Sequence, residues 1–405
     1  MDKRRLAIAF SIVLVDMLGF SLILPLLRYI AVGFGASDFT VGLLVSVYAL
    51  GQFFGAPVLG RLSDRFGRRP ILLVSIFGTF VGFIVLGFAT TLWMLFLSRI
   101  IDGITGGNIS VAQAYISDVT DAEHRGQALG LIGAAFGIGF VLGPVTGGLL
   151  GEAFGYSVPA FVAAGLAALN MGLVAFLMPE SLTREMRRRL SERKRPIIDI
   201  AGLRQALEHP RVGPLLTIRT VTALAFQTFE SGFAIWAPVA IGLTARGNGL
   251  VLGYIGVLQI IIQGALIRPL TRRFPEGRLL TAMIALAGVS LVAWTLSPNV
   301  WVLLVVFIPL SIGMAVSNTL QSSLLSKSVD PDEVGTVFGL STSALSLMRI
   351  PAGVLAGSLT GLALWSPGVF CGALALGIVP FAWRRCRGGV CEEPMGDDEP
   401  VPAQT

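Results

Sequence analysis

The stretch GRLSDRFGRRP, residues 60–70, sets four arginines and one aspartate between two long apolar runs. FTVGLLVSVYALGQFFGAPVL, residues 39–59, precedes it, and ILLVSIFGTFVGFIVLGFA, residues 71–89, follows it. Each run is close to the ~20 residues a helix needs to cross ~30 Å of hydrocarbon. A charged knot between two such runs reads as a short loop on one face of a membrane.

The bulk composition agrees. The chain has 405 residues, 54% of them hydrophobic and only 13% charged. A soluble domain carries about 25% charge, so a bilayer is the expected solvent. The N-terminus, MDKRR followed by an apolar run to Ile30, is too long for a signal peptide's apolar core and has no small-residue cleavage site. It predicts a retained first span. Further runs of the same kind cover 6–30, 92–116, 126–154, 158–178, 214–243, 249–267, 279–296, 300–325, 335–362 and 367–383. With the two above, the expectation is an all-α membrane protein with twelve transmembrane helices, since a lipid-exposed backbone must satisfy its hydrogen bonds internally.

The basic residues orient these spans. Of the 30 Lys and Arg, all but Arg28, Arg99, Arg219, Arg246 and Arg349 fall at the N-terminus, the C-terminus or alternate loops. That asymmetry predicts both termini on the cytoplasmic side of the cell inner (plasma) membrane. It also accounts for the net charge of +6 without nucleic acid as a partner. The lipid bilayer is the partner this composition requires. The long connection 179–213, with TREMRRRLSERKRP at its centre, divides the chain into bundles 1–178 and 214–387. It is either a solvated linker or a basic face lying on anionic headgroups. The tail 388–405 is acidic and rich in Pro and Gly, a composition of disorder.

The two halves repeat. LSDRF at 62–66 returns as LTRRF at 270–274, Trp93 as Trp301 and Gln113 as Gln321, all 208 residues later. Gly126, Gly130 and Gly148 return as Gly335, Gly339 and Gly357 at 209. Two six-helix bundles of one orientation imply a pseudo-two-fold axis along the membrane normal and a shared cavity at mid-depth.

Several motifs sharpen this picture. Gly60, Leu62, Asp64, Arg65, Gly67, Arg68 and Arg69 resemble the 2–3 loop signature of the major facilitator superfamily. GLIGAAFGIGFVLGPVTGG in span 5 places Gly130, Gly139, Gly143, Pro144, Gly147 and Gly148 as the antiporter motif of that superfamily does. LSRIIDGITGGNISVAQAYISD in span 4 is a further match, and DMLGFSLILP in span 1 is similar to the opening of tetracycline/proton antiporters. The resemblance covers most of the first half and implies a major facilitator fold in two pseudo-symmetric six-helix bundles. It further implies that the anion of the 2–3 loop, Asp64, sits at the N-terminus of span 11.

The residues themselves suggest roles. Gly60 and Gly67 would turn the loop sharply, and a carboxylate such as Asp64 suits a helix N-terminus. A cytoplasmic gate is expected in which Asp64 and Asp118 share Arg65, Arg68 and Arg125, with Arg69 beside them; the alternative is that these bases only orient the chain. Span 5 glycines three and four apart would pack closely, with Pro144 bending the helix, so that it slides against span 8 or 11.

Ionisable groups within a span are functional candidates. Asp16 in span 1 and Glu230 in span 7 are the candidates for proton coupling, because burial disfavours the charged form of a carboxylate. The alternative for both is structural pairing. In span 4, Arg99, Asp102, Gly106, Ser110, Gln113 and Ser117 fall on one helical stripe expected to face the cavity. Arg99 and Asp102, one turn apart, can neutralise each other. Asn318 and Gln321 are a weaker, uncharged counterpart in span 10. Arg349 in span 11 requires a cross-helix partner.

A pocket with few charges and many apolar residues suits amphiphilic small molecules. The expected function is therefore proton-coupled efflux of drug-like or metabolite molecules by alternating access. An importer or facilitator of a sugar or organic acid is the alternative on the same fold. No nucleotide loop, nucleophile–base pair or metal-ligand cluster argues for an enzyme. No cofactor beyond the proton gradient is expected, and the protein is expected to act as a monomer.

Overall fold

The computed structural model describes residues 3–120, 125–192, 200–329 and 334–386. The tail expected at 388–405 lies outside these residues, as does the side chain of Arg125.

The first half comprises α1 (Lys3–Ile23), α2 (Leu27–Gly33), α3 (Asp38–Phe66), α4 (Arg68–Gly87), α5 (Leu92–Thr105), α6 (Asn108–Val119), α7 (Arg125–Phe154) and α8 (Ser157–Leu177). Two short helices, α9 (Arg184–Glu192) and α10 (Ile200–Glu208), lie in the connection. The second half comprises α11 (Val212–Ile241), α12 (Ala245–Ile261), a π-helical turn (Ile262–Leu266), α13 (Ile267–Arg273), α14 (Glu276–Thr295), α15 (Val300–Lys327), α16 (Val334–Leu362) and α17 (Ser366–Arg385). Ten of the resulting rods are long and apolar enough to cross a membrane. The other two expected spans are α11, interrupted by Arg219, Gln227 and Glu230, and the α5–α6 pair.

Three expectations about continuity need correction. Span 1 breaks at Leu24–Leu26, where Pro25 supplies no amide to the ladder. Span 4 breaks at Gly106–Gly107, the residue type least committed to helical torsions. The stretch that opened the sequence is not a loop throughout: residues 60–66 continue α3, and only Gly67 leaves the helix, with φ 110°. Gly60 therefore makes no turn, and no neighbour crowds it.

The packing repeats as the sequence does. α1 packs on α7 and α8, α4 on α8 and α5; α11 packs on α16 and α17, α14 on α17 and α15. The apolar core divides accordingly, one part from Leu6 to Met178 and one from Val212 to Cys386, with Ile235 and Ala356 joining the first. Trp93 and Trp301, the repeated tryptophans, are both exposed beside the start of their helices, 64% and 74%. That position suits an interfacial aromatic belt.

Two seams join the halves, α3 with α16 and α7 with α12. They are tight at the end opposite the GRLSDRFGRRP stretch, called the far end below. A Cβ at Gly42 would overlap the Gly353 carbonyl, and one at Gly249 would overlap the Pro144 carbonyl. Likewise Gly357 lies against the Asp38 carbonyl and Gly148 against that of Ala245. These pairs are related by the sequence repeat, so the two seams are copies of one contact. Polar bonds complete them. Ser46 Oγ donates to Ile350 O at 2.6 Å and accepts from Val354 N at 2.9 Å. Glu152 Oε2 accepts from Thr244 Oγ1 at 2.7 Å and from Arg246 N at 3.2 Å, and Tyr29 donates to Leu243 O at 2.7 Å. Toward the other end the helices part: Gly130 and Gly133 on α7 and Gly264 in the π turn face open space. Phe54 and Ile261 are about half exposed there, 51% and 56%.

Candidate functional site

On the inner side of the first half, facing Arg349 of the second, lies a cleft lined by Asp16, Met17 and Phe20 of α1, Tyr48 and Gln52 of α3, and Thr79 and Phe83 of α4. Asp102 of α5, Gly106, Asn108 and Ile109 of the α5–α6 junction, Phe136 and Phe140 of α7, and Arg349 of α16 complete it. Three parts give it its chemistry.

The first is the break at Gly106–Gly107. It ends α5 and makes Asn108 the first residue of α6. The interruption frees the Gly106 carbonyl, and Gln52 Nε2 donates to it at 3.1 Å. Asn108 turns its amide to Asp16, donating from Nδ2 to Oδ1, while its own oxygen accepts from Ile109 N at 2.9 Å. Asp16 is half-buried in this arrangement.

The second is the pair Arg99 and Asp102, both nearly fully buried, with Nη1 to Oδ2 at 3.3 Å. The guanidinium lies between the rings of Tyr48 and Phe83, 6.0 and 5.9 Å from their centroids, a stabilising arrangement for a desolvated cation. Arg99 Nη2 has no hydrogen-bond partner among the described residues, and Asp102 Oδ2 is met only by the ion pair. A buried guanidinium nitrogen without a partner, such as Arg99 Nη2, is rare and tends to mark a functional position.

The third is Arg349, the residue whose partner the sequence left unnamed. It is exposed, and Nη1 donates to Gln52 Oε1 at 3.4 Å across the seam. Gln52 thus spans Tyr48, the Gly106 carbonyl and Arg349.

Of the expected cavity residues, Asp102 and Gly106 line this cleft, with Arg99 behind them. Ser110, Gln113 and Ser117 do not, because the break shifts the helical phase after Gly106; Ser110 bonds the Gly107 carbonyl and Gln113 is exposed. In the second half Gln321 is buried against Thr222 of α11 at 3.2 Å, and Asn318 is exposed away from the lining. Glu230, expected to be buried, is exposed, contributes nothing to the lining, and has no ion pair among the described residues. Tyr48, Gln52 and Asn108 were missed, and Arg349 was singled out without its partner. A Tyr and a Gln four apart in an oily helix, and a Gly-Gly-Asn inside span 4, were the available signals.

Of the expected gate, Asp64 and Asp118 share Arg68 as anticipated. Arg68 is its centre, with Nη1 2.6 Å from Asp64 Oδ1, Nε 2.9 Å from Asp118 Oδ2, and a hydrogen bond to Ser63 Oγ at 2.7 Å. Ser181 Oγ adds a bond to Asp118 at 2.9 Å. Arg65 does not join; it is exposed and lies over the Phe66 ring at 5.3 Å. The anion at a helix N-terminus is Glu180, which accepts from Arg68 N at 3.0 Å and Arg69 N at 3.3 Å and so caps α4. Gly67 leaves room for that carboxylate: a Cβ there would overlap it. Arg187 of α9 pairs with Glu180 at 3.4 Å, and Arg69 donates to the Ala175 carbonyl. The expected contact of Asp64 with the start of span 11, near Gly335, involves side chains outside those described.

In the antiporter motif, Gly139, Gly143 and Gly147 press on Met17, Ser21 and Leu22 of α1. Gly148 and Pro144 press instead on α12, and Gly130 faces open space. The seam partner of α7 is therefore span 8, and span 11 belongs to α3.

Comparison with known proteins places this geometry. A sequence model described as Major Facilitator Superfamily matches residues 9–353. The tetracycline resistance protein, class C, of Escherichia coli is 35% identical over 86% of this chain and 88% of its own length. Multidrug resistance protein 2 of Bacillus subtilis is 28% identical over 92% of each chain. The crystal structure of the human organic anion transporter MFSD10 superposes with a TM-score of 0.70, over 94% of this chain and 99% of that one. At 23% identity that structure bears on the fold alone.

Proposed function

The chain belongs to the major facilitator superfamily, and from that premise we propose that it exports amphiphilic drug-like molecules by alternating access, driven by protons. The observation that carries this reading is the cleft itself. A carboxylate, Asp16, sits in a largely apolar and aromatic lining on the inner side of the first half, which Arg349 of the second half meets, while the seams between the halves are tight at the far end. The resistance proteins named above, similar over nearly the whole chain, support efflux over uptake.

In this reading the basic loops mark the cytoplasm, both termini lie there, and the open end admits substrate from that side. Asp16 exchanges a proton against substrate, because a carboxylate held by one neutral amide can take either. The Arg68 cluster ties α3, α4 and α6 together at the open end and moves as one piece when that end closes. The protein needs no cofactor beyond the proton gradient, acts as a monomer in the inner membrane, and performs no covalent chemistry.

The test is flux in proteoliposomes under an imposed pH gradient, with a panel of lipophilic cations and neutral drugs. Proton-driven movement is expected for the wild type, with Asp16→Asn abolishing it while counterflow exchange persists. Glu230→Gln, away from the lining, is the control arm. Normal coupling in Asp16→Asn would remove the proton assignment, and accumulation along rather than against the gradient would remove export.

A further inference from the structure

The two seams meet at the far end through different chemistry. In one, Ser46 of α3 holds α16 by a neutral hydroxyl. In the other, Glu152 of α7 holds α12 by a carboxylate, whose Oε2 accepts from Thr244 Oγ1 at 2.7 Å and from Arg246 N at 3.2 Å. Glu152 stands in the last turn of its own helix, where the dipole disfavours an anion. It also stands at the first turn of α12, where the dipole favours one. That turn has no acid of its own and carries a base, Arg246. The repeat shows the alternative. The equivalent helix α3 has Asp38 in its first turn and is capped from within by Ser37, which accepts from Thr40 N at 3.3 Å. The position 209 residues after Glu152 is a glycine, Gly361. The N-terminus of α12 thus borrows its anion from the other half, and that of α3 does not.

Glu152 is exposed, so a proton reaches it without entering the cleft. Tyr29 of α2 lies within electrostatic reach of it, donates to Leu243 O at 2.7 Å and stacks on Tyr156 at 5.8 Å. Arg28 of α2 and Asp38 of α3 pair with each other at 3.0 Å. Arg246 meets the carboxylate through its backbone amide. Among the described residues no base forms an ion pair with Glu152. From this arrangement we infer that Glu152 is the outer proton sensor of the transport cycle. Ionised, it caps α12 from the opposite half and holds the far end shut; protonated, it releases that cap and lets the far end open.

The inference rests on the export reading, in which the far end faces outside. A neutral carboxylic acid loses the dipole attraction and the added strength of charge-assisted hydrogen bonds. The hold on α12 is therefore complete while Glu152 is ionised and is lost as the outside becomes acidic. The proton shifts the two conformations because it binds the open far end better than the closed one. The ion that must enter from outside to reach Asp16 is then the ion that loosens the seam in its way. The Ser46 joint has no group to titrate, so only one of the two seams answers to acid.

The test reads the width of the far end directly. Spin labels carried on ketone-bearing residues at the positions of Phe88 and Leu296, exposed at the far end in opposite halves, give that width by pulsed EPR of the full-length protein in nanodiscs. Asp16→Asn serves as the parent, so that the cleft carboxylate adds no pH response. Lowering the pH from about 7.5 to about 4.5, across the range of ordinary carboxylates, should raise its open-to-closed ratio. The expected rise is about 3- to 30-fold, the usual worth of a helix cap. Adding Glu152→Gln, which keeps the shape and removes the charge, should give the acid ratio already at neutral pH and a response below about 2-fold. Ser46→Ala, in the other seam, should widen the far end at every pH and leave the response in place. An unchanged response in Glu152→Gln, or its loss in Ser46→Ala, overturns the inference. Proteoliposome flux with Asp16 intact separates it from the export reading. If the response follows Glu152 but a pH gradient drives no flux, export fails and the titratable gate stands. If the gradient drives flux and the response ignores Glu152, export stands and the sensor falls.

Discussion

The two halves of this protein share a fold but not a chemistry, and the repeat shows where they diverge. Arg68, at the start of α4, pairs with Asp118 near the end of α6. At the equivalent place in the second half Glu276, at the start of α14, pairs with Lys327 at the end of α15, 2.8 Å apart. The ion pair is kept and its polarity reversed. Deeper in the bundle the divergence is complete. Arg99 and Asp102 correspond, 208 residues on, to Phe307 and Leu310. Those two are fully buried, and Phe307 makes edge-to-face contacts with Phe229 and Phe233 at 5.8 and 5.4 Å. One copy carries the ionic site; the other packs an aromatic core in its place. A duplicated bundle thus fixes which positions touch while leaving open whether they touch through charge or through rings.

The largest effect should come from making the first half imitate the second. Asp102→Leu alone strands a buried guanidinium and should cost about 3–5 kcal/mol. Arg99→Phe combined with Asp102→Leu should recover most of that while proton-driven flux falls at least ~10-fold. Thermal unfolding in detergent, read beside flux, checks both, and a double variant no more stable than the single would break the comparison.

The duplicated seams come next. Gly42→Val and Gly249→Val each force a side chain into a carbonyl at the far end, a clash of about 1–3 kcal/mol. Both should raise far-end labelling of introduced cysteines to a similar degree, whereas Gly130→Val, in open space, should not. A response from only one seam would mean the copies are mechanically unequal.

Smaller effects are expected at the reversed ion pairs. Arg68 is nearly buried between two carboxylates, so Arg68→Gln should lower stability by about 1–3 kcal/mol. The second-half pair is more exposed, 57% at Lys327, and exchanging its partners as Glu276→Lys with Lys327→Glu should change stability by less than about 0.5 kcal/mol. A larger loss there would show that polarity matters where the repeat says it does not.

Much of this architecture was legible in the chain. Hydropathy gave the rods, and one persistent offset gave the two halves. What stayed hidden follows from how such patterns encode structure. A stripe drawn along span 4 assumes an unbroken helix, and the glycine pair at 106–107 resets its phase, moving Asn108 into the cleft and Ser110 and Gln113 out. Glu180 caps α4 from more than a hundred residues away, and Arg349 meets Gln52 from nearly three hundred. Periodicity reports which face of a helix is oily; it carries no information about which distant side chain stands opposite. The same limit explains Glu230, which a hydropathy profile places within a span but cannot assign to a face.

The Ser46 hydroxyl has a consequence for how often the far end can open. It sits between the Ile350 carbonyl and the Val354 amide, two groups four residues apart on α16 and therefore each other's ordinary helical partners. When α3 withdraws, those two groups can close on one another, and no bare backbone is handed to the hydrocarbon. The joint is a removable splice rather than a weld: it lends stability while engaged and leaves an intact helix behind when it lets go.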